Sequence, residues 1–316
     1  MRVLVTGAAG YIGGAVVRQL LENGDQVVAL VHATEAVFPT GVEVRRGDVT
    51  DADFVREAAA DADGVCHLAA LARVRSHAAT PTRYFRLNVG GTVNVLDAMA
   101  DRTRRTGHPG SLVLASTSAV YGDRARQPIS EQSPEVFANP YADSKIACEH
   151  AVRWQAETGA LGSTALRIFN AAGAYAGRGD RDASRILPRA VNVAVNGAAG
   201  GDGQLHINGT GGAVRDFVHV LDVARAFVLA LHSNRPGHAR TYNLGGTPAS
   251  VADIVETVER VTGRRVPRLH GPELPGEAPV LTADTTEIRT DLGWEPARAA
   301  LEDIVFDQWV ATTAAV

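Results

Sequence analysis

The chain has 316 residues, an apolar fraction of 45% and 32 glycines, ordinary values for an α/β enzyme of one large domain or two modest ones. A formal net charge of −4, with no run of Lys and Arg, leaves no footprint for nucleic acid or an anionic membrane surface. No apolar run approaches membrane-spanning length and the chain opens on strand residues, so a cytoplasmic protein without a leader is expected.

Taken in order, residues 3–5 form an apolar strand closed by Thr6, and a helical pattern runs over 12–22. Strands are expected at 26–31, 42–46 and 64–68, with a helix beginning near Asp51 between the last two. A helix over 83–99, a strand over 111–115, a long helix over 141–157 and a strand over 163–169 complete the first half. Repeated strand–helix–strand units of this length predict a doubly wound parallel sheet, Rossmann-type, with right-handed crossovers. Beyond Asn170 the texture changes: 171–182 and 196–212 are rich in glycine and alanine. Helices at 184–195, 221–231, 250–262 and 301–312, a strand at 241–244 and a Pro/Gly-rich connection at 267–279 describe a smaller lobe. The division expected is a sheet domain over 1–169, with a return segment at 213–248, and a lobe made of 170–212 and 249–316.

Between the first strand and the first helix lies Gly7-Ala8-Ala9-Gly10-Tyr11-Ile12-Gly13. A strand that turns on glycine into a helix presents free amide N–H groups and a positive dipole end, which hold a diphosphate. Gly7 permits the turn, Gly10 lets backbone approach the phosphates, and Gly13 lets the helix pack against the strand. The spacing differs by one residue from the usual dinucleotide fingerprint.

Tyr141 and Lys145, four residues apart, share one helix face. A tyrosine with a pKa of about 10 is a poor base, and a nearby ammonium or a positively charged nicotinamide ring stabilises its phenolate. Ser116-Thr117-Ser118 closes an inner strand at the sheet edge where ligands bind. Cys66 and Cys148 stand at no metal-ligand spacing and read as buried thiols of a reducing compartment. His67, His206 and His219 read as packed or hydrogen-bonded, and no metal site is expected.

These motifs resemble the extended short-chain dehydrogenase/reductase family, and within it the UDP-glucose (UDP-galactose) 4-epimerases. The likeness runs over almost the whole chain: MRVLVTGAAGYIGG, HLAALARVRSHAATP, NVGGTVNVLDAM, STSAVYG, NPYADSK, LRIFNAAGA, RDFVHVLDVARA, YNLGG and LGWEP. The resemblance implies Tyr141 as catalytic base, Lys145 as its electrostatic partner and Thr117 as the catalytic hydroxyl. It implies a cofactor site of Gly7, Gly10, Tyr11, Ile12 and Gly13 at the pyrophosphate, with His32, Asp48 and Val49 toward the adenosine. Leu68, Ala69, Ala70 and Asn88, with Tyr141 and Lys145, complete that site. A nucleotide-diphosphate sugar, UDP-linked, would meet Val74, Ser118, Asn170, Asn208, Arg215 and Leu281 in the smaller lobe. The resemblance also implies a two-fold homodimer formed through helices over 83–100 and 142–157.

Departures from the family pattern are specific. No carboxylate ends the second strand, where Val31 and then His32 stand, and no arginine replaces it; NAD is favoured and NADP stays open. Ala72 stands where many 4-epimerases have lysine, Leu274–Glu277 where an arginine often begins, Asn208 where an aromatic stacks near uracil, and Leu281 beside the sugar. The activity implied is 4-epimerisation through a 4-keto sugar. The alternatives are an NAD(P)-dependent reductase of such a ketone, a 4,6-dehydratase and a non-catalytic nucleotide sensor; Ser118-Ala119, in place of an Asp-Glu pair, speaks against the dehydratase.

Overall fold

The apolar opening becomes an inner strand. β1 (Arg2–Thr6) pairs in parallel with β2 (Gln26–Val31) on one side and β4 (Gly64–His67) on the other. A strand covered on both faces needs a continuous apolar run, and Val3, Leu4 and Val5 are fully buried. In this computed structural model the described residues are 1–72, 80–123, 126–197, 203–273 and 278–314.

α1 (Tyr11–Glu22) returns the chain to β2, and β3 (Glu43–Arg46) extends that side of the sheet. α2 (Ala52–Ala59) starts on Asp51, whose carboxylate accepts from the N–H groups of Asp53 and Phe54, both at 3.1 Å. α3 (Thr82–Tyr84) passes through a wide π-turn at Phe85–Val89 into α4 (Gly90–Thr106). α4 runs a further two turns past Met99, because nothing breaks it before Gly107, which adopts the left-handed conformation at φ 72°. β5 (Gly110–Thr117), α5 (Pro140–Glu157) and β6 (Leu161–Ile168) follow, α5 being capped by Asn139, which accepts from Ala142 N–H at 3.0 Å.

The less regular half adds β7 (Asn170–Ala172), β8 (Ala174–Tyr175), β9 (Arg178–Gly179), α6 (Ile186–Asn196), β10 (Leu205–Asn208) and β11 (Val214–His219). It continues with α7 (Val220–Ser233), β12 (Ala239–Leu244), β13 (Thr247–Ser250), α8 (Val251–Thr262), β14 (Arg268–Gly271), β15 (Val280–Leu281), α9 (Thr286–Leu292) and α10 (Leu301–Thr313). The large sheet is parallel throughout, seven strands in the order β12-β6-β5-β4-β1-β2-β3. The chain returns to it through α7 and β12, whereas β11 joins a small sheet with β13, β15 and β7. β10 and β14, within stretches read above as connections, pair with each other from Leu205 opposite Arg268; strands of four residues among glycines and prolines carry no readable periodicity.

Alternation along β1 divides the core. Val3 and Val5 pack with Val16, Leu20 and Phe227 from α1 and α7, while Leu4 packs with Val95, Met99 and Leu112 on the other face. A separate core of Leu187, Val191, Leu205, Phe217, Val258 and Ile304 joins α6, α8 and α10 to the small sheet. The strand order reverses between β1 and β4, which opens a crevice at their C-terminal ends.

Candidate active site

The glycine turn lies in that crevice. Gly7 has φ +68°, and a Cβ there would stand 2.8 Å from the backbone nitrogen of Ala69. A Cβ on Gly13 would stand 2.2 Å from the Gly7 carbonyl oxygen, so Gly13 makes room for the turn itself and not for the strand expected above. Gly10 is the N-cap of α1 without a side-chain cap, which leaves the first-turn amides free for a ligand. Thr6 shapes the floor: its hydroxyl accepts from the N–H groups of Leu68 and Ala69 at 3.1 Å and donates to His67 Nδ1 at 2.7 Å. Tyr11 donates to Gly173 O at 2.7 Å, and burial holds its pKa well above the usual value. These residues fit a dinucleotide diphosphate.

The outer cofactor residues divide. His32 and Asp48 meet beyond the ends of β2 and β3, with Nε2 to Oδ2 at 3.6 Å, and the Thr50 N–H keeps the Asp48 carboxyl ionised to lower pH. Val49 is buried against Gly91. Asn88 is buried and does not face the crevice: its amide bonds the Leu71 N–H and C=O at 2.8 and 3.2 Å and Ser144 Oγ at 2.9 Å. It therefore positions the end of the β4 segment against α5.

Tyr141 and Lys145 sit on the first turns of α5, 9% and 2% exposed. With Thr117, Ser116 and the glycine turn they line one cleft of about 310 Å³, which also takes in Leu68, Ala70 and Ala72. Burial raises the phenol pKa of Tyr141; the Thr117 hydroxyl and the charge of Arg185 pull it down. Burial also lowers the pKa of Lys145, against the pull of Cys148 and Glu149. Arg185 thus adds a second cation beside the phenol, one that the sequence reading does not name. The Tyr84 ring packs edge-on to Tyr141 at 6.3 Å.

The substrate-side residues are more dispersed. Asn170 donates to Asp216 O at 2.9 Å, and Arg215 donates to Val214 O and Ala278 O at 2.8 and 2.9 Å. Leu281, opposite Arg215, is partly buried against Val120, Tyr121 and Phe169. Asn208 lines a separate cavity of about 240 Å³ with Gly209–Ala213 and Glu273. Ser118 does not reach the cleft; Ser116 does, and its hydroxyl bonds Glu149. Val74 and Leu274–Glu277 lie outside the described residues. Asp180, Asp182 and Arg185, which no spacing in the sequence singles out, line the cleft beside Tyr141.

The remaining candidates are structural. Cys66 and Cys148 are buried, with their thiol pKa values pushed up by burial. His67 is held between Thr6 and Thr92, and His219 Nε2 bonds Asp307 at 3.0 Å. His206, expected to be packed or hydrogen-bonded, stands exposed on β10 and is not without a partner. Among the described residues no His/Cys/Asp/Glu group is arranged for a metal, and no helix is long and apolar enough to cross a membrane.

A doubly wound sheet with a glycine turn after β1, a hydroxyl at the end of β5 and a Tyr–Lys pair on α5 defines a nicotinamide-dependent enzyme of the short-chain dehydrogenase type. The chain belongs to the NAD dependent epimerase/dehydratase family, whose family model matches residues 3–245. It is 38% identical to the UDP-glucose 4-epimerase of Streptomyces lividans, over 98% of this chain and 95% of that one. It superposes on the UDP-glucose 4-epimerase of Stenotrophomonas maltophila, solved with NAD and formylated UDP-arabinopyranose, with a TM-score of 0.90 and 31% identity, covering 100% and 98% of the chains. MoeE5, solved with UDP-glucuronic acid and NAD, superposes at 0.86 with 30% identity over 100% of both chains.

Proposed function

We propose that this protein is a UDP-hexose 4-epimerase that works with bound NAD. The observation that carries this reading is the single cleft in which Thr117, Tyr141 and Lys145 meet the glycine turn. Relatives named UDP-glucose 4-epimerase match nearly the full chain, and neighbours of the same fold were solved with NAD together with UDP or a UDP-sugar. In this reading residues 1–169 with 213–248 carry the dinucleotide, and 170–212 with 249–316 carry the nucleotide sugar.

Tyr141 removes the proton from the sugar O4, and Thr117 hydrogen-bonds the same oxygen. Bound NAD supplies the acceptor and donor of hydride at C4. Lys145 keeps a positive charge within the buried cleft, and Arg185 adds a second. Asn170 and Arg215 grip the diphosphate, the 4-keto hexose turns about that linkage to present the opposite face of C4, and Tyr141 returns the proton to O4. Fixed positions for O4 and C4 supply much of the acceleration, on the order of several kcal/mol. The turn at Ser118–Tyr121 contributes no carboxylate after Thr117, which disfavours elimination of water.

Incubation with UDP-galactose tests this. The expected result is UDP-glucose of equal mass with no net consumption of NAD(P)H; stoichiometric consumption of NADPH identifies a reductase instead. A homodimer through α4 and α5 belongs to the same reading, since Val93 and Trp154 stand exposed on those helices.

A further inference from the structure

Five buried polar side chains that do not line the cleft lie between the glycine turn and the catalytic helix. Thr6, His67, Asn88, Thr92 and Ser144 are each no more than 1% exposed. Groups shut away from water to this degree persist where their donors and acceptors are matched. Here the matches form one line.

The direction of each bond follows from where the protons are. Thr6 Oγ1 accepts from the N–H groups of Leu68 and Ala69, both at 3.1 Å, so its own proton goes to His67 Nδ1 at 2.7 Å. The imidazole is therefore the neutral tautomer with its proton on Nε2, which donates to Thr92 Oγ1 at 3.1 Å. Thr92 donates in turn to Asn88 O at 2.7 Å. The Asn88 amide donates to Ser144 Oγ at 2.9 Å, and Ser144 Oγ donates to the carbonyl of Tyr141 at 2.7 Å. Cys148 Sγ closes the middle of the line, 3.2 Å from Thr92 Oγ1 and 3.3 Å from Asn88 O.

Both ends of the line reach the reaction. At one end Ala69 is the backbone on which Gly7 rests, since a Cβ on Gly7 would stand 2.8 Å from Ala69 N. At the other end Tyr141 carries the phenol on the first turn of α5. The turn that cradles the cofactor and the helix that bears the base are separate elements, and the rate of proton and hydride transfer depends steeply on how they are set against each other. Hydrophobic packing has no direction, whereas this line crosses β1, β4, α4 and α5 with a fixed donor and acceptor at every step.

We infer that His67 and Thr92 are positioning residues of the reaction, joining the cofactor turn to α5 so that the Tyr141 phenol is held at a set distance from the bound dinucleotide. This rests on the 4-epimerase reading, in which Tyr141 is the base. Cutting the line lets α5 settle away from the turn. That slows the chemical step and leaves the grip on the nucleotide sugar, made by other residues, as it was.

The test reads kcat and KM for UDP-galactose in NAD-loaded wild type, Thr92→Val, Thr92→Ser and Ser144→Ala. Thr92→Val keeps the branched shape and removes the hydroxyl; Thr92→Ser keeps the hydroxyl. The expected result is a fall in kcat of about 10–100-fold in Thr92→Val and in Ser144→Ala. KM stays within about twofold of wild type, and Thr92→Ser recovers kcat to within about threefold. Thr92→Val combined with Ser144→Ala loses no more than the worse single variant, because both cut one line, whereas two independent structural bonds multiply their losses. An unchanged kcat in folded Thr92→Val or Ser144→Ala, a loss carried by KM, or multiplied losses in the double variant overturns the inference and leaves the 4-epimerase reading standing. If Thr92→Val does not fold, Ser144→Ala decides by the same kcat and KM criteria. NAD-loaded wild type that does not convert UDP-galactose removes both.

Discussion

Arg167 and Glu149 form a buried pair directly beneath the reacting cleft. Arg167 Nε donates to both carboxylate oxygens of Glu149, at 3.2 and 3.1 Å, and Nη2 donates to Oε2 at 2.7 Å. Glu149 lies one turn beyond Lys145 on α5, and Arg167 lies on β6; Ser116 of β5 bonds the same carboxylate. Arg167 also donates to Tyr121 Oη at 2.9 Å and to Glu135 at 2.6 Å; burial pulls its pKa down, and Glu149 and Tyr121 more than offset that and raise it. The pair ties the helix carrying Tyr141 to β6, and the Ser116 hydroxyl extends the tie to the strand ending in Thr117.

Removing one partner of this pair strands the other charge in the interior. Glu149→Ala is expected to cost about 3–5 kcal/mol in denaturant unfolding, whereas Ser116→Ala costs about 1 kcal/mol. A loss below about 1 kcal/mol for Glu149→Ala contradicts the role given to the pair.

Two glycines make an internal comparison. A Cβ at Gly13 meets the Gly7 carbonyl at 2.2 Å, while at Gly90 it meets nothing within 4 Å. Gly13→Ala is expected to purify without dinucleotide; Gly90→Ala is expected to keep it and gain up to about 1 kcal/mol from helix propensity. Dinucleotide retained at full occupancy in Gly13→Ala speaks against the cradle.

His67 sets a pH dependence. Burial pulls its pKa down to about 3, from an unfolded value near 6.5. Between those values the unfolded chain binds the extra proton, so stability is full above about pH 6.5 and falls with decreasing pH, by up to about 1.4 kcal/mol per unit. Unfolding measured from pH 7 to pH 4 should show a shallower decline in His67→Gln than in wild type. Parallel curves contradict the assignment of a neutral buried imidazole.

The helix face bearing Val93 and Trp154 tests the assembly. Sedimentation is expected to give a dimer for the wild type and a monomer for Val93→Glu with Trp154→Glu. A wild-type monomer, or a dimer unchanged in the variant, rules out the α4–α5 contact.

The parts legible in the sequence are those that local spacing determines. The glycine turn and the Tyr141–Lys145 step lie within single strand–helix units, so their geometry follows from the residues beside them. Arg185 lies 44 residues beyond Tyr141, in a stretch without periodicity, and only the fold brings it to the cleft. Asn88, Ser118 and Leu281 illustrate the converse. Each stands in a motif that resembles a site, yet the amide of Asn88 is spent on Leu71, Ser118 turns within the loop after β5, and Leu281 is partly buried against the cluster of Val120 and Tyr121. Which way a side chain turns depends on strand register and partners that are distant in the chain.

Epimerisation in this protein depends most on Tyr141 moving the O4 proton. The direct measurement is the rate of UDP-sugar 4-epimerisation by Tyr141→Phe, taken with its NAD content. The expected result is a loss of about 10²–10⁴-fold with NAD content equal to wild type. A rate within a few-fold of wild type contradicts the assignment.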